Sequence, residues 1–397
     1  MDFELSNEQR SWQMLARKFA EEEIRPISLA RDAIETPRET WDWDIIKKGS
    51  KLGFRTMAVP KEWGGHGTDF VTQALVMTEL AKADSAISKA FSQNWKWSHL
   101  ISASCTEEQK KRFLPAFVAD DTFVLGKGIT EPSAGSDNRM PMDDPKTGVK
   151  LRAERQGDVW ILNGEKTFIA NAPVGKLFFI DARTDTTVPP KQGTTMFLVP
   201  SDTPGFRIGK VFNKSGWRFY QNGEMIFENA RVPHANVVGE VGGAVHKAGG
   251  AGGDTTGGDL FGDLELSANA LGICDDACET ALRFVNTAKR GGQVLFAQQN
   301  VQLQINRMFM LTESLRSFVM RVAWEHDMKI HSCNAGLAMN HSADVVQEVT
   351  EIYMELRGVQ GCYMDPHADK IVRDSIIWTH LAGDSVQRMK VARRLVR

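Results

Sequence analysis

Three textures follow one another along this chain, and together they predict a mainly α fold with a central β-domain. Apolar residues recur at helical spacing through residues 1–120 and again through 260–397. Between them, residues 121–238 gather their apolar side chains into short β-rich runs separated by turn signals, and 239–259 is a glycine-rich insertion.

In the first third, Leu15, Phe19 and Ile24, then Ile45, Ile46 and Leu52, fall at spacings that place them on helix faces, with Glu, Lys and Arg in the gaps. Pro26 and Pro37 punctuate this run. Val59-Pro-Lys-Glu-Trp-Gly-Gly-His-Gly67 is a connector whose glycines permit positive φ or close backbone approach. In the middle third, Thr122-Phe-Val-Leu, Val159-Trp-Ile-Leu, Leu177-Phe-Phe-Ile and Thr195-Met-Phe-Leu-Val read as strands of an antiparallel sheet ending near Val232-Pro233. Pro204-Gly205 reads as a turn and Asn163-Gly164 as a type I′ hairpin. The run from Val241 to Gly258 has the composition of a linker, and it lacks the Gly-Lys-Ser/Thr ending of a phosphate loop. From Leu260 onward the spacing suits a bundle of four or five helices.

The balance of charge excludes some functions. Charged residues make up 25%, hydrophobic residues 42%, and the formal net charge is -2, so no basic surface for nucleic acid is indicated. No apolar run approaches the ~20 residues of a membrane span, and Met1-Asp-Phe-Glu-Leu-Ser is unlike a signal peptide; a cytoplasmic protein without membrane insertion is expected. Five cysteines form no CxxC pair, and Cys274 and Cys278 have no neighbours that complete a metal set; buried thiols in a reducing compartment are expected.

Two stretches are specific. Gly128-Ile-Thr-Glu-Pro-Ser-Ala-Gly-Ser-Asp137 is a strand end running into a Pro/Gly turn, and it offers hydroxyls and backbone N–H groups. Trp160-Ile-Leu-Asn-Gly-Glu-Lys-Thr-Phe-Ile-Ala-Asn171 carries an aromatic, Phe168, on its second half. In this order, and with Trp63-Gly-Gly-His-Gly67, Gln109-Lys-Lys-Arg-Phe-Leu-Pro115, Phe227-Glu-Asn-Ala-Arg-Val-Pro-His-Ala-Asn-Val237 and Lys370-Ile-Val-Arg-Asp-Ser375, they resemble the acyl-CoA dehydrogenase family over nearly the whole chain.

The resemblance implies an N-terminal helical domain, a middle β-domain and a C-terminal four-helix bundle. It also implies homo- or hetero-oligomers, dimers or tetramers, with FAD at the subunit interface. The implied reaction is removal of an α-proton from an acyl-CoA thioester by a base while the flavin accepts the β-hydride, with an electron-transfer flavoprotein as the electron acceptor. By position, Ile129 and Thr130 would meet the flavin ring and Ser136 would lie near a pyrophosphate. Phe168 stands where the family usually has tryptophan, keeping the stacking face and losing an N–H. Ala170 replaces a common flavin-bonding threonine, and the arginine that reaches a neighbouring subunit's FAD corresponds here to Arg290 or, in gapless register, to Ala288.

The likeness breaks at the base. Ala382, followed by Gly383 and Asp384, occupies the position of the most frequent catalytic glutamate. Counting back from Gly272 puts Gly262 where other members carry that glutamate, with Asp263 nearby and Glu265 one turn further on the same face. Glu265 and Asp384 are therefore the candidate catalytic carboxylates. The competing expectations are a solvated acid in a first helical turn for Glu265 and a helix N-cap for Asp384. His380 is a lesser candidate, and Trp95-Lys-Trp97 reads as packing at a domain junction or as a stacking surface for a ring substrate. Three functions fit: a dehydrogenase of a linear, cyclic or bulky acyl group with a relocated base, a base-less partner subunit of a heteromer, or a flavin enzyme with different chemistry.

Overall fold

The computed structural model describes residues 4–135, 143–243, 258–363, 365–381 and 383–395; Ser136 and Ala382 lie outside the described residues. Six helices come first: α1 (Asn7–Phe19), α2 (Arg25–Asp32), α3 (Trp43–Lys51), α4 (Phe70–Ala83), α5 (Ser85–Ser104) and α6 (Glu107–Ala119). Their ends follow capping chemistry. Ser6 and Gln9 form a capping box on α1, and Thr106 and Gln109 form one on α6. Between α4 and α5 the backbone extends at Asp84, whose carboxylate accepts from the N–H groups of Ala86 (2.8 Å) and Ile87 (2.9 Å) and so starts the next helix.

The sheet comprises β1 (Leu125–Gly128), β2 (Arg152–Gln156), β3 (Val159–Ala170), β4 (Leu177–Arg183), β5 (Thr194–Pro200), β6 (Phe206–Val211), β7 (Asn222–Pro233) and β8 (Val237–Val238). Their order is β6-β7-β3-β2-β4-β5-β8, with β1 pairing in parallel on β4. β1 starts at Leu125 rather than at Thr122, because the Asp120 carboxylate turns the chain by accepting from Thr122 N at 2.9 Å.

Asn163-Gly164 is not a hairpin. Both residues lie inside β3, at a register shift against β7, with Gly164 at φ 133° and the Asn163 side chain accepting from Asn229 N at 2.8 Å. This is a β-bulge, and the turn joining β2 to β3 sits at Gly157, where φ is 61°. The same Asn-Gly chemistry that favours a two-residue turn also serves a bulge when partner strands continue on both sides.

The last part holds α7 (Gly258–Thr287), a small hairpin of β9 (Lys289–Arg290) and β10 (Gln293–Val294), then α8 (Gln299–Asp327) and α9 (Asn334–Arg357). It ends with α10 (Val359–Tyr363), α11 (Pro366–Ile376), α12 (Trp378–Leu381) and α13 (Ser385–Leu395). The first and last thirds share one core: Ile24, Leu80 and Phe91 belong to the same buried cluster as Leu271, Met308 and Tyr353. Gly272 permits this closeness, since a Cβ there would stand 2.6 Å from the Thr78 carbonyl oxygen on α4.

Asp374 on α11 ties the three parts together. Its carboxylate accepts from Trp217 N (2.7 Å) of the sheet segment, Ser85 Oγ (2.9 Å) at the start of α5 and Lys370 Nζ (2.6 Å) on its own helix. Lys370 also pairs with Asp84 at 3.2 Å. Among the described residues no helix is long and apolar enough to cross a membrane.

Candidate active site

Helices α5 and α7 face one another. Lys89, Ser92 and Lys96 fall at i, i+3 and i+7 of α5, a spacing that lines them up on one face. Opposite them on α7 is Glu265, 2% exposed. Lys89 Nζ lies 2.7 Å from Glu265 Oε2, and Ser92 Oγ donates to Oε1. Burial holds the Lys89 ammonium below its ordinary pKa, with Glu265 opposing that shift. Glu265 is thus not a solvated acid of a first turn. α7 begins at Gly258, so Glu265 is two turns in and faces another helix. Around it Gln73, Met77, Trp95 and Leu264 pack closely enough to leave no room for a water molecule.

The other candidates are placed differently. Gly262 carries no carboxylate, and its space is taken by Lys96: a Cβ there would collide with the Lys96 ammonium. Asp263 is turned toward Gly336 on α9. Asp384 caps α13, accepting from Val386 N at 2.9 Å and Gln387 N at 3.0 Å. His380 is exposed. Trp95 and Trp97 are core side chains, the first donating its indole N–H to the Phe54 carbonyl and the second packing on Phe179.

A second cluster sits on the sheet. Glu131, at the end of the segment carrying Ile129 and Thr130, accepts from Lys166 Nζ (2.7 Å), Lys150 N (2.7 Å) and Leu151 N (2.9 Å). Lys166 also donates to the Ile129 carbonyl at 3.1 Å, and Thr167 N to the Thr130 carbonyl at 2.9 Å. These bonds fix Ile129 and Thr130 against β3, next to Phe168. Burial lowers the pKa of Lys166, and Glu131 opposes it. Phe168 is 60% exposed and sits at φ 59°, a conformation costly for an aromatic residue, and its carbonyl is held by Asn222 Nδ2 at 2.9 Å. Its ring lies 4.7 Å from that of Phe212, making an apolar two-ring platform on the protein surface. Ala170 is half-buried at the end of the same strand, and Arg290 stands exposed on the β9–β10 hairpin.

Residues 6–121, 126–230 and 262–396 match, in turn, the acyl-CoA dehydrogenase N-terminal, middle and C-terminal domains. The chain belongs to the acyl-CoA dehydrogenase family. The short-chain specific acyl-CoA dehydrogenase of Clostridium acetobutylicum is 30% identical over 400 residues, with 100% of both chains covered. Butyryl-CoA dehydrogenase from Megasphaera elsdenii superimposes with a TM-score of 0.90 at 27% identity, covering 100% of each chain. A chain solved in work on the electron transferring flavoprotein of Acidaminococcus fermentans does so at 0.91 and 30%, again over 100% of each.

This acyl-CoA dehydrogenase-like flavoprotein uses FAD. Its own residues fit that cofactor. The Phe168–Phe212 pair, its rings 33° apart in tilt, is an exposed apolar surface of the kind an isoalloxazine ring would cover. Sequence reasoning named Phe168, Ile129 and Thr130 as candidates and did not foresee the Glu131–Lys166 pair beside them. The available signal was weak: Lys89 interrupts a run of small or apolar residues, while Lys166 sits in a polar stretch with no such mark.

Proposed function

We propose that the chain is an FAD-dependent oxidoreductase acting on the CH–CH group of an acyl-CoA thioester, with Glu265 as a relocated base. The observation that supports this is the setting of Glu265, a carboxylate buried between α5 and α7 and oriented by Ser92 and Lys89. A base needs orientation and exclusion of water, and both are present. When bound, FAD supplies the hydride acceptor. Ile129 and Thr130, held by Glu131 and Lys166, and the Phe168 face position it. Glu265 accepts the proton at the carboxylate that Lys89 otherwise neutralises, so the nearby ammonium is left to face the developing negative charge of the acyl group. The substrate class extends to bulky or cyclic acyl groups, with the abstracted proton at the α-carbon or at a vinylogous position. The exposed Arg290 hairpin is suited to serve the FAD of a second copy, and an electron-transfer flavoprotein is the proposed electron acceptor.

The test is anaerobic reduction of the FAD-loaded protein by acyl-CoAs. Wild type is expected to bleach with at least one thioester, and Glu265→Gln to bind the same thioester without bleaching. Bleaching at an unchanged rate in Glu265→Gln would remove Glu265 from the role.

One observation favours a second reading, a base-less subunit that supports a complete partner. Both oxygens of Glu265 are already engaged inside the fold, Oε2 by the Lys89 ammonium and Oε1 by Ser92 Oγ, so neither is presented to a substrate. On that reading the chain alone reduces nothing with any thioester and gains activity only when mixed with its partner.

A further inference from the structure

The two rings of the Phe168–Phe212 surface come from different parts of the chain, Phe168 from β3 and Phe212 from the segment that joins β6 to β7. One residue bonds to both. Asn222, the first residue of β7, accepts from Phe212 N at its own carbonyl (2.9 Å), and its side-chain Nδ2 donates to the Phe168 carbonyl at 2.9 Å. The β3–β7 register shifts between Lys166 and Ile169, so this side chain supplies a bond to Phe168 where the ladder is irregular.

A side-chain amide can face either way, and Lys214 decides which. Its ammonium donates to Asn222 Oδ1 at 2.7 Å and to the Tyr220 carbonyl, and it lies 5.4 Å from the Tyr220 ring centroid. An ammonium has no lone pair with which to accept, so it holds Oδ1 toward itself and leaves Nδ2 for Phe168. Without Lys214 the amide is free to turn its oxygen toward the Phe168 carbonyl, and a residue already at φ 59° loses its tie.

We propose that Lys214 is a positioning residue for the cofactor: acting through Asn222, it fixes Phe168 and Phe212 in the arrangement on which an isoalloxazine ring lies. This rests on the reading that those two rings carry FAD. The hold is sensitive to protonation. The groups that face Lys214 are Asp374 of α11, which favours the ammonium, Arg218 of its own segment, which opposes it, and the Tyr220 phenol, which burial keeps neutral. Burial of the amine, together with Arg218, outweighs Asp374 and lowers Lys214 from 10.5 to about 7. As pH rises through that value the bond to Asn222 loses its charge and falls to roughly half its strength.

The experiment measures FAD affinity by the change in flavin fluorescence, from about pH 6 to about pH 8.5, in wild type, Lys214→Met, Asn222→Leu, the double variant and Phe168→Ala. Wild type is expected to bind FAD roughly threefold more tightly at the acid end than at the alkaline end. Lys214→Met and Asn222→Leu are each expected to bind roughly three- to tenfold more weakly, with that slope removed. The double variant should bind no more weakly than either single one, because the two residues act in series. Losses that multiply in the double variant, a flat wild-type profile, or a slope that survives in Asn222→Leu overturns the inference. The wild-type and Asn222→Leu profiles decide the matter even where Lys214→Met does not fold. Full affinity in Lys214→Met beside weakened binding in Phe168→Ala overturns this inference alone, whereas full affinity in Phe168→Ala takes FAD away from the two rings and overturns both.

Discussion

Glu265 on α7 and Lys89 on α5 form an ion pair at 2.7 Å in which the side chains are 0% and 8% exposed. Two charges so placed cost desolvation energy that their attraction repays only while both are present. Glu265→Leu alone is therefore expected to destabilise the protein by about 3–5 kcal/mol, and the double substitution Lys89→Met with Glu265→Leu to recover most of that loss. Denaturant unfolding of the two variants checks this; a double variant as unstable as the single one would mean that the pair does not act as a unit.

Asp384 offers a contrast, because its carboxylate is occupied by two N–H groups of α13. Asp384→Ala is expected to lower stability by about 1 kcal/mol, the usual effect of losing a cap, with turnover unchanged. Asp384→Asn or Asp384→Ser, which still accept from the same amides, should restore the stability. A drop in turnover by roughly two orders of magnitude or more, with an unaltered unfolding curve, would return Asp384 to the catalytic candidates.

The helical–sheet–helical order was legible because periods of 3.6 and 2 are written directly into the spacing of apolar side chains. What the spacing could not reveal was that α1–α5 and α7–α9 share one core, since Gly272 meeting α4 is a contact between residues almost two hundred positions apart. Asn163-Gly164 misled for a local reason, as a bulge and a hairpin turn ask for the same backbone freedom. At the site, Asp384 reads as a cap from its position ahead of a helix. Glu265 reads as a surface acid until the buried partner on α5 is known, because only long-range packing brings Lys89 and Ser92 to it.

Acid sensitivity should come from the start of α4, where Phe70 stacks on His99 (5.2 Å), lies tilted against His326 (5.0 Å), and donates its N–H to Asp327 at 2.7 Å. Burial, aided by the neighbouring His326, lowers His99 from 6.5 to about 4. Between those values the unfolded chain binds a proton that the fold refuses, so this stabilisation is complete above pH 6.5 and is lost as pH falls toward 4. Burial raises Asp327 from 3.8 to about 6, and here the fold holds the proton, so stability falls as pH rises across that window. The two slopes oppose one another. Asp327→Asn should steepen the loss of stability on acidification from pH 6.5 to 4, and His99→Gln should flatten or reverse it, as read from unfolding midpoints at half-unit pH steps.

The surface proposed to carry the cofactor supplies the last expectation. Glu131 and Lys166 are buried and paired at 2.7 Å, and together they hold Ile129 and Thr130 beside the exposed ring of Phe168. Phe168→Ala removes a surface aromatic with few supporting contacts, so it should change unfolding by less than about 1 kcal/mol while weakening FAD binding by roughly tenfold. Phe168→Trp should retain FAD, because the stacking face is kept. Glu131→Ala should behave otherwise. It strands the Lys166 ammonium in the sheet and releases the amides of Lys150 and Leu151, so FAD is lost together with about 3–5 kcal/mol of stability. Equilibrium dialysis of FAD beside chemical unfolding separates the two behaviours: a Phe168→Ala protein that keeps full FAD affinity would place the isoalloxazine elsewhere on the chain.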